Sequence, residues 1–308
     1  MPTDNSRPIG IFDSGLGGLT VFKEIRQLLR YENLIYFGDT ARVPYGNKSK
    51  ETIIRYSKEI TKFLLKNDVK LIVVACNTVS SLALAELKKE FGIPIFGVIE
   101  PGARCAYKKL IERINNKNKG DASEEKISGD ASTAPPDTAT IAVIGTSATV
   151  GSKAYSNAIN RLNNYNNDNG AGANINVKIM EKACPLLVPL VEEGWINSDI
   201  TRDVVKYYLQ PVIANNPFSI VLGCTHYPML KKIISEIANN NTEIIDSGKE
   251  VAIEVKDFLI GSNMLNENIA KPYEKYYVSD DPEKFKLLGS NFIGSNITEH
   301  IEVVIDFL

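Results

Sequence analysis

Two short stretches decide the fold: Val-Val-Ala-Cys-Asn-Thr at 73–78 and Val-Leu-Gly-Cys-Thr-His at 221–226. Each is an apolar, β-branched run that stops at a cysteine and gives way to small polar residues. Such a run is typical of a buried parallel strand, and the residues after it open the next helix. Because open α/β sheets place their chemistry at the carboxyl ends of the strands, Cys76 and Cys224 are the first candidate functional residues.

The size and charge of the chain narrow the class of protein. Its 308 residues predict two domains, or one domain with insertions, and 44% apolar residues are enough for a sizeable core. The 35 Lys and Arg nearly balance the 37 Asp and Glu, which gives a formal net charge of −2. This balance predicts no nucleic-acid partner and no polybasic membrane-binding patch.

The N-terminal residues predict where the protein is located, and the cysteine count predicts that its thiols are reduced. Residues 1–8 are polar and form no signal-peptide core, and no later apolar run reaches the roughly 20 residues that span a bilayer. We therefore expect a cytoplasmic protein. Its 4 cysteines form no Cys-x-x-Cys pair and accompany only 2 histidines, so we expect no disulfide framework and no metal site. Cytoplasmic thiols stay reduced, and a special one is expected to be reactive.

Strand and helix patterns alternate along most of the chain, which predicts the α/β class with helices on both faces of parallel sheets. We expect two parallel-sheet lobes with a pseudo-two-fold relation and the active site in the cleft between them. Polar stretches at 116–139 and 163–176 are predicted to be flexible surface insertions. The predicted strands are 8–12, 33–38, 71–75, 93–98, 141–144, 177–183, 220–223 and 243–245, with a strand, a short helix and a strand over 276–308.

Two thiols that face each other across a cleft suit the inversion of a stereocentre. Removing a proton from a carbon next to a carboxylate leaves a planar centre, and returning a proton to the other face inverts it. The reaction needs one acid/base group on each face. A cysteine with an ordinary pKa of about 8.5 can serve in either form once its environment tunes it. The pair therefore predicts proton transfer without a cofactor.

The neighbours of the cysteines support such tuning. Each cysteine is predicted near a helix N-terminus, which favours the thiolate. His226 can orient or deprotonate Cys224, which lies two residues before it. Asp13 and Asp39 end neighbouring strands, where we expect them to reach Cys76 and a substrate ammonium group. Hydrogen bonds to substrate carboxylates are expected from backbone N–H groups and from Ser14, Asn77, Thr78 and Thr225.

Simpler interpretations compete for several residues. A free cysteine is often a small buried hydrophobic residue, and this is the preferred interpretation of Cys105 and Cys184. The stretch Asp-Ser-Gly-Leu-Gly-Gly at 13–18 lacks the dinucleotide-binding glycine order and no Walker lysine follows, so nucleotide binding is not favoured. Tyr45 is either a packing residue or a site residue.

Five motifs that follow one another over most of 8–260 identify a family. They are Gly-Ile-Phe-Asp-Ser-Gly-Leu-Gly-Gly-Leu-Thr at 10–20, Gly-Asp-Thr-Ala-Arg-Val-Pro-Tyr-Gly at 38–46, Ala-Cys-Asn-Thr at 75–78, Cys-Pro-Leu-Leu-Val-Pro-Leu-Val-Glu at 184–192 and Leu-Gly-Cys-Thr-His-Tyr-Pro at 222–228. Together they resemble those of glutamate racemases in the cofactor-independent aspartate/glutamate racemase superfamily. The Cys-Thr-His ending resembles the glutamate branch, because an acidic residue usually follows Cys-Thr in the aspartate branch.

The resemblance implies a function and a catalytic set. It implies that the chain interconverts L- and D-glutamate without a cofactor, supplies D-glutamate for bacterial peptidoglycan and forms a homodimer. Cys76 and Cys224 match the catalytic thiols, with Asp13 beside the first and His226 beside the second. Glu192 matches the partner of that histidine, and Glu193 is the alternative.

The resemblance also implies substrate contacts and lobe boundaries. It implies a discontinuous first lobe of 1–98 and 247–308, and a second lobe of 99–246. The spacing of the cysteines does not show which cysteine serves which enantiomer. The implied substrate-binding residues are Asp13, Ser14, Tyr45, Gly46, Asn77, Thr78, Thr225 and His226, together with Thr146 and Thr149.

Two other functions remain open from the sequence. One is a related racemase or isomerase that acts on a different amino acid or dicarboxylate, against which the Thr225-His226 pair argues. The other is a two-lobed amino-acid-binding protein without catalysis, which would need neither cysteine.

Overall fold

The computed structural model describes residues 5–121, 138–168, 176–238, 242–268 and 271–304. Within these ranges the chain forms a six-stranded sheet and a four-stranded sheet, and every pairing between described strands is parallel. This confirms the predicted two-lobed α/β architecture. The strands are β1 (Ile9–Asp13), β2 (Leu34–Gly38), β3 (Leu71–Val74), β4 (Ile95–Gly97), β5 (Thr138–Gly145), β6 (Asn176–Ala183), β7 (Ser219–Gly223), β8 (Glu243–Asp246), β9 (Glu274–Val278) and β10 (Ile301–Val303).

The helices fill the connections between these strands, as crossovers between parallel strands require. Short 3-10 helices cover Thr40–Arg42, Tyr45–Asn47 and Tyr227–Leu230. The α-helices are α1 (Leu19–Leu28), α2 (Lys50–Lys66), α3 (Asn77–Leu82), α4 (Leu84–Glu90), α5 (Ile99–Asp121), α6 (Ser147–Gly151), α7 (Ala154–Asp168), α8 (Leu187–Glu192), α9 (Asp199–Ile213), α10 (Lys231–Ala238), α11 (Ser247–Gly261) and α12 (Pro282–Ile293).

The strand order brings the polar strand ends together. The six-stranded sheet, called the first sheet, has the order β10-β9-β2-β1-β3-β4, so the ends of β1, β2 and β3 are neighbours. The second sheet has the order β6-β5-β7-β8, and Gly145 at the end of β5 lies opposite Gly223 at the end of β7. We call each sheet with its helices a lobe. The chain returns to the first sheet with β9 and β10.

Burial on both faces explains why polar and apolar residues do not alternate along these strands. Strands β1, β2 and β3 are buried along their whole length, because helices cover both faces of the first sheet. One cluster of buried apolar side chains extends from the first sheet to the second through α1 and α11. A Cβ atom at Gly248 of α11 would lie 3.0 Å from Val21 of α1, so these two helices pack closely there.

The predicted insertions are shorter than the composition indicated. Helix α5 continues to Asp121 and β5 begins at Thr138, so the ends of the predicted 116–139 insertion are regular. Helix α7 likewise continues to Asp168 and β6 begins at Asn176, at the ends of the predicted 163–176 insertion. Extending an existing helix by a polar turn costs little once packing has formed its first turns. Residues 122–137 and 169–175 lie outside the described residues.

Helix starts near the cysteines also differ from the prediction. Helix α3 begins at Asn77, directly after Cys76, and not near Ser80. The segment after Cys224 first forms the 3-10 helix, and α10 begins only at Lys231.

Among the described residues, no helix combines the length and the apolar character that crossing a bilayer requires.

Candidate active site

A cavity of about 200 Å³ lies among the segments that follow the strands of both sheets. One water needs only about 10–15 Å³, so the cavity admits a small organic molecule. Cys76 comes to it from the first lobe and Cys224 from the second. The predicted site residues on its wall are Ser14, Tyr45, Gly46, Cys76, Asn77, Thr78, Thr146, Glu192, Cys224, Thr225 and His226. The wall also contains residues that the sequence did not indicate: Gly15, Val43, Pro44, Asn47, Ser147, Pro185, Val188 and Pro189.

Cys76 is held as a neutral thiol. It caps α3 and its Sγ donates to Ser14 Oγ at 3.6 Å. Burial, together with the nearby Asp13 carboxylate, raises the pKa of the Cys76 thiol to about 12. The start of α3 does favour the thiolate, because the backbone N–H of Val79 lowers this pKa, but burial and Asp13 outweigh that effect. A six-residue helix offers too little positive potential to outweigh burial and an adjacent carboxylate.

Asp13 lies behind the cavity wall. It is fully buried, and the Gly15 backbone N–H donates to its Oδ2 at 3.1 Å. Burial raises the pKa of Asp13, although the positive charge of His226 opposes this shift. The carboxylate is thus placed to act on Cys76 and not to line the cavity itself.

The Asp39 carboxylate binds side chains that support the cavity wall and is not available to a substrate. The Tyr45 hydroxyl donates to Asp39 Oδ2, Ser279 Oγ donates to Oδ1 at 2.8 Å, and Arg42 Nε donates to Oδ2 at 2.7 Å. These bonds occupy the fully buried carboxylate, so the expectation that it reaches a substrate ammonium is wrong. Tyr45 combines both of its proposed roles, because its ring is buried and also lines the cavity.

Cys224 has a different electrostatic environment. Its Sγ lies 3.8 Å from His226 Nδ1, and His226 Nε2 lies 3.0 Å from Glu192 Oε1. Burial lowers the pKa of His226, but its hydrogen bonds to Cys224 and Glu192 outweigh burial and raise that pKa to about 10. Burial raises the pKa of Glu192, but the bond to His226 outweighs it and leaves that pKa lowered. The second thiol therefore stands beside an imidazolium that a carboxylate supports, and this carboxylate is Glu192, not Glu193.

The glycine-rich turn after β1 packs against this histidine. A Cβ atom at Gly17 would lie 2.5 Å from His226 Nδ1 and 2.3 Å from Thr225 Oγ1. Thr20 Oγ1 donates to the Thr225 carbonyl oxygen at 3.0 Å, and the Phe292 ring contacts the imidazole edge-to-face at 5.6 Å. Nothing in the sequence indicated the histidine as the neighbour of these glycines.

Three threonines connect the lobes beside the cavity. Thr78 Oγ1 lies 3.0 Å from Thr146 Oγ1 and 3.5 Å from Thr149 Oγ1. Thr146 also caps α6 by accepting from the Thr149 N–H at 3.2 Å. Thr78 and Thr146 line the cavity, whereas Thr149 is buried behind them.

The other two cysteines lie away from the cavity wall. Cys184 is fully buried and Cys105 is half-buried on α5. Burial raises the pKa of each of these thiols to about 12. Within the described ranges, no group of three or more His, Cys, Asp or Glu side chains is arranged to hold a metal ion.

We expect alkylation to distinguish the two cavity thiols. Cys76 and Cys224 are 5% and 6% exposed, so access does not separate them. Burial and Asp13 raise the pKa of the Cys76 thiol to about 12, and the thiolate is the reactive form, so iodoacetamide should modify Cys76 at least about tenfold more slowly than Cys224 near neutral pH. Peptide mass mapping measures both rates. The rate at Cys76 should rise with pH toward its pKa of about 12. Equal rates near neutral pH would contradict this assignment, and His226→Asn should reduce the difference.

Known proteins resemble this chain in both sequence and structure. No family model matches the sequence. The glutamate racemase of Geobacter metallireducens is 40% identical over 300 residues, which cover 97% of each chain. The crystal structure of the glutamate racemase RacE1 from Bacillus anthracis matches with a TM-score of 0.81 and 31% identity, over 97% of this chain and 98% of that one. The Francisella tularensis glutamate racemase, solved in complex with D-glutamate, matches with a TM-score of 0.79 and 32% identity over the same shares.

Proposed function

Because this chain belongs to the glutamate racemase family, we propose that it moves the Cα proton of glutamate between Cys76 and Cys224. The chain is a racemase, which is an isomerase. One observation supports the two-thiol mechanism above all others: two cysteines from different lobes line one cavity in opposite electrostatic environments. Groups whose environments push their protonation states apart are the usual acid and base of an active site.

In the proposed reaction, one proton leaves Cα for one sulfur and another proton reaches Cα from the other sulfur. With Cys224 as thiolate and Cys76 as thiol, the Cys224 sulfur takes the Cα proton and the electron pair stays on a planar carbanion. The Cys76 sulfur then gives its proton to the opposite face, which inverts the stereocentre. The enzyme is left with the protonation states exchanged, and this form is ready for the enantiomer just made. Effective acid/base groups of this kind contribute about 10²–10⁴-fold each.

The cavity wall is suited to hold a dicarboxylate through neutral donors. No Lys or Arg occurs among the described residues that line it, and the hydroxyl and amide donors come from both lobes. These donors include Ser14, Asn77, Thr78, Thr146 and Thr225. His226 also lines the cavity beside Cys224, and its raised pKa makes it a cation that can stabilise negative charge as the carbanion forms.

Hydrogen exchange at Cα tests the proposed function. In heavy water, the wild-type protein should turn pure L-glutamate into both enantiomers, with deuterium at Cα of the inverted product. The inverted product receives its hydrogen from a thiol that has equilibrated with solvent. Proton NMR measures the exchange and a chiral assay measures the inversion. Folded protein that neither exchanges nor inverts glutamate would refute the proposal, and a screen of other dicarboxylates and amino acids would then test the related isomerase.

We further propose that the D-glutamate serves peptidoglycan synthesis, that the protein is cytoplasmic and that it forms a homodimer. We also propose lobe boundaries of 1–98 with 247–308 and of 99–246, which the pairing of β9 and β10 in the first sheet supports. Restored growth of a bacterium that requires D-glutamate tests the first of these proposals. Cell fractionation, sedimentation and limited proteolysis test the others.

A further inference from the structure

Tyr155 is a buried side chain that contacts the neighbours of both cysteines. It lies in the first turn of α7 and is 1% exposed. Its hydroxyl donates to Asn77 Oδ1 at 2.8 Å, and Asn77 directly follows Cys76. Its ring packs on Gly223, which directly precedes Cys224, because a Cβ atom at Gly223 would lie 3.2 Å from Tyr155 Cε2. One side chain of the second lobe therefore touches the flanks of both thiols.

The hydrogen bond from Tyr155 leaves the Asn77 amide with a free donor. Asn77 lines the cavity, and its side chain is almost fully buried. Its Oδ1 accepts from Tyr155, while its Nδ2 is buried and has no hydrogen-bond partner in the part of the chain that the structure describes. A buried amide donor without an acceptor is unfavourable. Asn77 lies on the cavity wall, so a carboxylate bound there can supply the missing acceptor once the side chain turns its NH₂ group toward it.

An Asn side chain can present either its oxygen or its NH₂ group in a given direction, and its partner selects between the two orientations. Burial raises the pKa of the Tyr155 phenol, so this group stays protonated and able to donate. A donor at Oδ1 favours the orientation that keeps the NH₂ group available. The reverse orientation would present an oxygen to an anionic substrate, which is repulsive.

We propose that Tyr155 is a positioning residue for substrate binding, which holds the Asn77 amide so that its NH₂ group donates to a carboxylate of glutamate. This inference rests on the proposed function. It adds a residue that does not line the cavity and that acts only through Asn77. Because the bond joins α7 of the second lobe to α3 of the first, it forms only when the two lobes pack together as they do in this structure.

The Tyr155→Phe variant tests the proposal, because it keeps the ring on Gly223 and removes only the hydroxyl. KM for both enantiomers should rise about five- to tenfold, as expected when one hydrogen bond no longer supports ground-state and transition-state binding equally. The kcat value should change less than about threefold, because neither thiol environment is altered. Calorimetric titration with D-glutamate should show the same five- to tenfold loss of affinity. Unchanged KM and Kd would overturn the proposal.

The matched control is Tyr107→Phe. Tyr107 is another buried tyrosine of the second lobe, and its hydroxyl bonds to Asn163 at 3.3 Å and Asn166 at 3.2 Å, away from the cavity. Removing this hydroxyl should lower thermal stability, as removing that of Tyr155 should, but it should leave KM unchanged. An equal rise in KM in this variant would mean that general loosening of the lobe explains both results, which would overturn the proposal.

A double-mutant cycle separates positioning from an independent role. Asn77→Ala should raise KM by itself, and adding Tyr155→Phe should change KM less than about twofold further, because the two residues act as one unit. A further rise of five- to tenfold would show that Tyr155 acts without Asn77 and would overturn the proposal. If the wild type fails to exchange the Cα proton, the proposed function fails, and the calorimetric comparison still decides whether Tyr155 supports glutamate binding.

Discussion

Replacing Cys76 or Cys224 by Ala should lower the kcat/KM of racemisation by about 10³-fold or more in both directions, because each variant loses the acid/base group on one face of the carbanion. Among the described residues, no third cysteine lines the cavity to replace either sulfur. The chiral assay measures this loss, and calorimetry with D-glutamate should show that binding persists. Full racemisation by either single variant would contradict the two-base mechanism.

The two variants should also differ from each other in an informative way. The remaining cysteine can still remove a proton from one enantiomer and return one to the same face, so slow deuterium exchange without inversion is expected. The enantiomer that exchanges should be opposite in the two variants, which would assign each cysteine to its enantiomer. Cys184→Ala is the matched control, because this buried cysteine also follows a strand but does not line the cavity. It should keep activity within about threefold, since it contacts no reacting atom.

Gly17→Ala should reduce kcat/KM by about 10²-fold or more, because a misplacement of about 1 Å near the chemistry has effects of this size. The added Cβ would lie 2.3 Å from Thr225 Oγ1 and 2.5 Å from His226 Nδ1, so at least one of these groups must move. Either movement disturbs the imidazole beside Cys224. The steric conflict should also lower the free energy of unfolding by about 1–3 kcal/mol. Steady-state kinetics and denaturant titration measure the two effects.

The control for this substitution is Gly151→Ala, since no atom lies within 4 Å of a Cβ placed there. It should leave kcat/KM unchanged and shift the free energy of unfolding by no more than about 0.5 kcal/mol, as is usual for surface substitutions. If Gly17→Ala retains wild-type kcat/KM, the close contact between the turn and His226 has no catalytic importance.

Sequence patterns were most informative where a feature is local. The β-branched runs before Cys76 and Cys224 predict buried parallel strands, and the carboxyl ends of such strands meet at one edge of a sheet. The two-lobed architecture and the shared cavity follow from this rule. The same local reasoning failed at the ends of α5 and α7, where polar composition predicted irregular chain and existing helices continue instead.

Protonation states were the feature that local patterns predicted least well. Proximity to a helix start favours the thiolate of Cys76, yet burial and Asp13 outweigh that effect and hold it as a thiol. Asp13 ends β1 and Asp39 directly follows the neighbouring β2, yet the Asp39 carboxylate accepts hydrogen bonds from Tyr45 and from Ser279, a residue 240 positions away. Such differences depend on what else is buried nearby, and no spacing rule contains that information.

By itself, the sequence determined the α/β class, the strands that end at the two thiols and the set of polar residues around them, because period and strand-end position are properties of a short stretch of chain. Only the tertiary structure decided that Gly17 packs on His226, that Glu192 and not Glu193 supports this histidine and that Tyr155 reaches Asn77. Each of these contacts joins residues from distant parts of the chain. Their geometry and their charges are set by how two lobes pack, and packing is a property of the whole molecule.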